Sequence, residues 1–278
     1  MSEPVSVTTD PAHGGRWTSL RAGGREWLWS RDEPRRPLVA PGDAFADAGG
    51  LEECVPTVRG TPDHGDAWSR PWHRRGDEET RGEAKTAGEC DEYVDCPDFR
   101  LARRIRTEAG ALVADYRLTA APGYRFLWAA HALLDVSPRA TVAIPDGAPA
   151  RLYPDDGAHW TAGAWPVNPV GGTALDRLGP DDGSAVGAVV ATPEVSVRDG
   201  RDTLRLAVEA PGQPVSVALW RNLGGFPADA PYRSVGVEPM LGRVFDLAAA
   251  GADDAARVPA SGEVRWRLTV TAGRRPRP

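Results

Sequence analysis

The sequence predicts an all-β protein, a large antiparallel β-sandwich of two sheets packed face to face. The dominant hydrophobic period along the chain is two, and glycine- and proline-rich turn signals recur between the alternating runs. Helical patterning is nearly absent: only residues 243–256 lean towards helix, and Gly251 interrupts them.

Taken in order, residues 5–9, 16–21 and 25–30 read as the first strands, with Ala22-Gly23-Gly24 turning the chain between the last two. Residues 99–107 lead through Glu108-Ala109-Gly110 into a run where Leu112, Ala114, Tyr116 and Leu118 alternate with Val113, Asp115, Arg117 and Thr119. Residues 126–134, 141–144, 186–191 and 195–198 follow, and Arg198-Asp199-Gly200 turns the chain into the alternating Leu204, Leu206 and Val208. Ala210-Pro211-Gly212 precedes a strand at 215–220. The next, at 235–238, is expected to stop at Pro239, which lacks a ladder donor. Val264, Trp266, Leu268 and Val270 alternate in the last one. Two segments break the rhythm and read as long loops. Residues 70–92 are charged and expected to be exposed, whereas 145–184 carry Tyr153, His159, Trp160 and Trp165, enough aromatic surface to line a cleft. No linker or repeat divides the chain, so residues 1–278 are expected to form one domain.

A hydrophobic fraction of 41% supplies ample material for a core. The net charge of −6 offers nucleic acid no basic surface, and Arg274-Arg275-Pro276-Arg277 is too short to act as more than a solvated tail. The first residues lack the basic and apolar regions of a secretory signal, and the longest apolar run, 126–134, is far below the roughly 20 residues needed to span a bilayer. Cys54, Cys90 and Cys96 are odd in number and unevenly spaced, as reduced thiols are in a cytoplasm. His73 with Cys90 and Cys96 falls short of a zinc spacing, so neither metal nor cofactor is expected. A cytoplasmic protein, monomer or homodimer, with no nucleic-acid or membrane partner is the expectation.

The chemistry concentrates in His64-Gly65-Asp66-Ala67-Trp68-Ser69-Arg70-Pro71-Trp72, which sets an imidazole, a carboxylate, a guanidinium and two indoles into nine residues. Flat apolar faces beside directional hydrogen-bonding groups suit a sugar ring; a surface loop pinned by its tryptophans is the plainer alternative. His131 stands in the apolar run Leu127-Trp128-Ala129-Ala130-His131, where a hydrogen-bonded core histidine is the ordinary case. Glu238 ends Ser234-Val235-Gly236-Val237-Glu238-Pro239, a carboxylate that is paired, solvated at a rim, or desolvated for proton transfer.

In order, Gly49-Gly50-Leu51-Glu52-Glu53-Cys54-Val55-Pro56, His64-Gly65, His131 and Gly236-Val237-Glu238-Pro239 resemble the aldose 1-epimerase (galactose mutarotase-like) superfamily over most of the chain. The resemblance implies a large β-sandwich with an open cleft and a cofactor-free reaction on the anomeric carbon of a small-molecule sugar. It makes Glu238 the general base, His131 the general acid and His64 a second substrate-contacting histidine. The residues flanking His131, Ala130 and Ala132-Leu133-Leu134, depart from the pattern of the best-known members. Their substrate-binding Asp has no unique counterpart; Asp156, Asp176 and Trp220-Arg221-Asn222 are candidates. Glu53, Trp68, Arg70, Trp160, Trp220 and Asn222 complete the expected substrate-binding set. Two alternatives stay open: a non-catalytic carbohydrate-binding sandwich, and a glycoside-processing enzyme that would pair Glu53 or Asp66 with Glu238.

Overall fold

Alternation along each strand sorts the side chains of this protein onto two faces, and two large sheets bury one face of each against the other. The computed structural model describes residues 5–74, 90–154, 159–167 and 174–275. All strand pairs are antiparallel, and among the described residues there is no α-helix and no helix long and apolar enough to cross a membrane.

The first sheet contains β1 (Ser6–Asp10), β2 (Arg16–Ala22), β3 (Arg25–Glu26), β4 (Leu51–Cys54), β10 (Trp128–Ala132), β12 (Pro149–Pro154), β13 (Thr161–Ala164), β14 (Ala185–Val190), β17 (Val215–Leu223) and β18 (Arg233–Leu241). Its order is β1-β2-β4-β10-β18-β17-β14-β12-β13, with β3 paired to β2. The second contains β5 (His73–Arg74), β6 (Cys90–Asp95), β7 (Phe99–Glu108), β8 (Ala111–Ala120), β11 (Thr141–Ala143), β15 (Glu194–Asp199), β16 (Asp202–Glu209) and β20 (Glu263–Arg274). It runs β11-β15-β16-β20-β8-β7-β6-β5. A two-stranded ribbon joins β9 (Arg125–Phe126) to β19 (Ala256–Arg257).

The core is aromatic at its centre. Tyr116 of β8 stacks on Trp266 of β20 with centroids 5.1 Å apart, and Trp128 of β10 closes on both. A buried polar network passes through it. Arg103 of β7 donates to Glu53 at 2.8 Å and to Glu92 at 2.6 Å, over the face of Trp72; Tyr116 and the indole N–H of Trp128 also donate to Glu53. Both carboxylate oxygens of Glu53 therefore accept from donors in the core.

Several expected boundaries move. The strand at 25–30 shortens to β3, continued only by isolated bridges at Leu28 and Ser30. The segment 145–184 holds β12 and β13; the latter is a short edge strand of small residues, Thr-Ala-Gly-Ala, with no alternation to betray it. The helical lean at 243–256 amounts to one 3₁₀ turn, Leu247–Ala249, capped by Asp246. Pro239 does not end its strand: β18 continues through it to Leu241, because the pairs Glu238–Ala218 and Met240–Ser216 hold the ladder on either side.

Candidate active site

The face of the first sheet that turns away from the core carries one unusual row. The register sets Glu52 of β4 beside His131 of β10, His131 beside Glu238 of β18, and Glu238 beside Ala218 of β17. On β10, Trp128, Ala130 and Ala132 point into the core, so period two forces Ala129 and His131 outward. On β18, Val235 and Val237 point inward, which leaves Ser234, Gly236 and Glu238 on the same outer face.

Nδ1 of His131 lies 2.9 Å from Oε1 of Glu238. The contact is an ion pair by distance, since the ring N–H points off the line to the carboxylate and Nδ1 has no aligned partner. Burial works against charge on His131, but the Glu238 carboxylate, helped by Asp47 and Glu52, outweighs it and pushes the imidazole up to about 9. Glu238 is 1% exposed, and its second oxygen, Oε2, has no hydrogen-bond partner among the described residues. Gly236 makes room for it: a Cβ there would stand 2.4 Å from Oε1 of Glu238.

His64 reaches the same place from a loop. Its φ is +60°, a left-handed conformation uncommon for a residue with a side chain, and Gly65 follows at φ +80° where a Cβ would meet the Val55 carbonyl at 2.1 Å. The ring packs edge-on to His131 with centroids 5.1 Å apart and lies 3.2 Å from Asp63. Burial and the neighbouring His131 charge lower the His64 pKa against the pull of Asp63 and Glu238, so the two imidazoles are shifted in opposite directions. Phe45 covers them, stacked on His64 at 3.6 Å and edge-on to Trp68 and His131. Both imidazoles thus turn Nδ1 towards a carboxylate, and Oε2 of Glu238 is left without a hydrogen-bond partner beside them.

No family model matches the chain, and no curated protein does either. Solved structures do. The Slr1438 protein from Synechocystis sp. PCC 6803 superposes with a TM-score of 0.71 at 15% identity, over 98% of this chain and 93% of that one. A galactose mutarotase-like protein from Clostridium acetobutylicum gives 0.64 at 11% identity over 99% and 94%. A galactose mutarotase related enzyme from Lactobacillus acidophilus gives 0.62 at 13% over 98% and 96%. The fold is galactose mutarotase-like.

On this galactose mutarotase-like frame the remaining expected site residues scatter. Trp220 stays by the site: it sits on β17 next to Gly236, half-buried, with its ring edge-on to the exposed Phe226. Glu53 faces the opposite way, into the core network, and the carboxylate on the outer face is its neighbour Glu52. One step along a strand reverses the face, so the adjacent glutamates cannot share a role. Trp68 is buried beneath Phe45, its indole N–H bonded to the Asp63 carbonyl, and supports the site from behind. Arg70 pairs with Asp66 at 3.7 Å near Cys96. Trp160 lies at the far rim, 41% exposed, with Arg151 stacked on it. Asn222 is buried and holds the 224–232 loop through Phe226, Tyr232 and Gly225. Asp176 belongs to the margin of the other sheet, where its carbonyl accepts from Val142; Asp156 lies outside the described residues.

Sequence reasoning passed over Glu52, Arg36, Phe45 and Asp47. Arg36 sits in Pro34-Arg35-Arg36-Pro37, which looks like solvated loop, yet it is 4% exposed and forks onto Glu52. The Glu-Glu pair in a strand was the available signal, for at least one of the two must be buried.

Proposed function

We propose that the protein is a cofactor-free aldose 1-epimerase that interconverts the anomers of an aldose. The observation that carries this is the His131–Glu238 pair: a base with a free buried oxygen and an imidazolium, side by side on one face. Glu238 takes the proton from the C1 hydroxyl while His131 delivers one to the ring oxygen, and the C1–O5 bond breaks to give the open-chain aldehyde. Rotation about C1–C2 and reversal of both transfers close the other anomer. Neutral His64 supplies a hydrogen bond to the ring hydroxyls and Trp220 an apolar wall. Neighbours of the same fold described as galactose mutarotase-like or related support the choice of chemistry. The glycosidase alternative has less behind it, because Glu53 is enclosed in the core and Asp66 is paired with Arg70.

The test is anomer-exchange NMR across free and phosphorylated aldoses, on wild type and Glu238→Gln. Gln keeps the shape of Glu but accepts no proton, so kcat is expected to fall by about 10² to 10⁴ with sugar affinity little changed. Wild-type exchange in a folded Glu238→Gln protein would remove Glu238 as the base. Sugar binding with no exchange above the spontaneous rate in wild type would favour a binding module.

A further inference from the structure

Glu52 and Arg36 take no part in the transfers just described, yet they are firmly fixed charges on the outer face of the first sheet. Glu52 is 2% exposed, and the Arg36 guanidinium forks onto it, Nε to Oε1 at 3.1 Å and Nη2 to Oε1 and Oε2 at 2.9 and 3.0 Å. Arg36 is held in turn: Nη2 also reaches the carbonyls of His13 and Trp68, and its carbon sits 5.3 Å over the Trp68 ring. Gly14 leaves space for it, since a Cβ there would come within 2.8 Å of Nη2 and 1.9 Å of the Trp68 carbonyl. A second arginine, Arg16, stands 4.0 Å from Oε1 of Glu52 and is tied to the carbonyls of Ala48 and Gly49. Such a carboxylate can neither swing away nor be screened by water.

We propose that Glu52, locked by Arg36, is a positioning residue for His131: from the strand on the other side of β10 it holds the imidazolium that Glu238 alone would otherwise have to hold. The inference rests on the epimerase reading for its purpose, though its electrostatics stand without it. When Glu238 takes the substrate proton it becomes neutral, and His131 loses its nearest counter-charge at the moment it must deliver a proton along a defined line. Directly opposed cross-strand side chains have Cβ atoms about 5 Å apart, close enough for Glu52, which burial keeps from ionising fully until above about 7, to keep acting on the ring once it is an anion. The charged and titratable groups facing His131 are Glu238 from β18, Glu52 from β4, Asp47 from the segment before Gly49, and His64 and Asp63 from the loop after β4, with Arg16 and Arg36 behind Glu52. Of the acids other than Glu238, Asp47 acts on the ring more strongly than Glu52 but stands outside the sheet, bonded to the Tyr232 hydroxyl, and Asp63 faces His64; Glu52 is the one that the strand register sets opposite His131 and that Arg36 fixes there.

The deciding measurement is the pH titration of the His131 ring by long-range ¹H–¹⁵N NMR. Glu52→Gln is expected to lower its midpoint by about one unit, a tenfold change in acidity. An unchanged midpoint in a folded variant overturns the proposal. Because the substitution leaves Arg36 buried without its partner, the paired variant Arg36→Met/Glu52→Gln is measured as well, with a fall expected again. Wild type needs no variant to fold: beyond its own ionisation near 7, the Glu52 carboxyl carbon is expected to show a second step at the His131 midpoint near 9, and a flat response there also overturns the proposal. Where wild type catalyses anomer exchange, the alkaline limb of its kcat profile should move to lower pH with Glu52→Gln. A shifted ring titration in a protein without exchange would sink the epimerase reading and leave the role of Glu52 standing.

Discussion

One absent methyl group decides where the Glu238 carboxylate rests. Gly236→Ala would place a carbon 2.4 Å from Oε1, and the cheaper accommodation is for the flexible carboxylate to move off His131 rather than for β18 to shift. We expect kcat for anomer exchange to fall at least about tenfold with a melting temperature within a few degrees of wild type; a large loss of stability with full activity per folded molecule would contradict this. The two histidines differ at the same scale. His131 is charged and beside the base, whereas His64 is pushed toward neutrality. His131→Asn is therefore expected to cost about 10² or more in kcat, and His64→Asn to raise KM mainly; equal small effects in steady-state kinetics would reduce His131 to a core residue.

At the level of strands and loops, the site is a consequence of register. Alternation exposed β8, β16 and β20 in the sequence because each has one buried and one solvated face. It was silent on β10 and β18, nearly all of whose residues are buried on both faces, so that His131 and Glu238 were legible through their resemblance to a family rather than through their period. Arg36 was illegible for another reason: its burial depends on Glu52, sixteen residues on, and no local pattern encodes that pairing. The loop at 224–232 illustrates the same dependence. Asn222 accepts from the amides of Gly225 and Phe226 and donates to the carbonyls of Phe226 and Tyr232, and Tyr232 stacks on Trp29 at 5.6 Å. Asn222→Ala is expected to cost on the order of 3 kcal/mol by stranding those backbone groups. Amide hydrogen exchange should then accelerate through 224–232 and leave β17 and β18 protected; slow exchange in that loop would show that Asn222 is not its anchor.

For the molecule as a whole, the shifted groups set a pH dependence of stability with a definite sign. His131, raised to about 9, contributes stability that is complete below the unfolded value near 6.5 and is lost as pH rises through 9. Glu52, raised by burial to about 7 despite Arg36, acts in the same direction: its ionisation between the ordinary carboxylate range and 7 disfavours the folded state. Glu26, Asp199 and Asp254 are lowered, each by hydrogen bonds that outweigh burial, so their contribution is present above the unfolded range near 4 and lost in acid. Thermal unfolding is thus expected to show a maximum at roughly pH 4 to 5 and a decline from there towards pH 9 to 10, and Glu238→Gln should flatten the part of that decline above pH 7. A melting temperature that rises from pH 7 to 9 would refute the His131 assignment.

The adjacent glutamates of β4 impose a parity rule on anyone who would re-engineer this protein. Glu53 closes the core network through Arg103, Tyr116 and Trp128, while Glu52, one residue earlier, serves the opposite face beside His131. A single inserted or deleted residue in this strand would exchange the two, handing the core the carboxylate meant for the outer face and the outer face the one meant for the core. Libraries aimed at new substrates can therefore vary the face of β4 at alternate positions only, and a spontaneous frame change here would be lethal to folding before it could be tried for function.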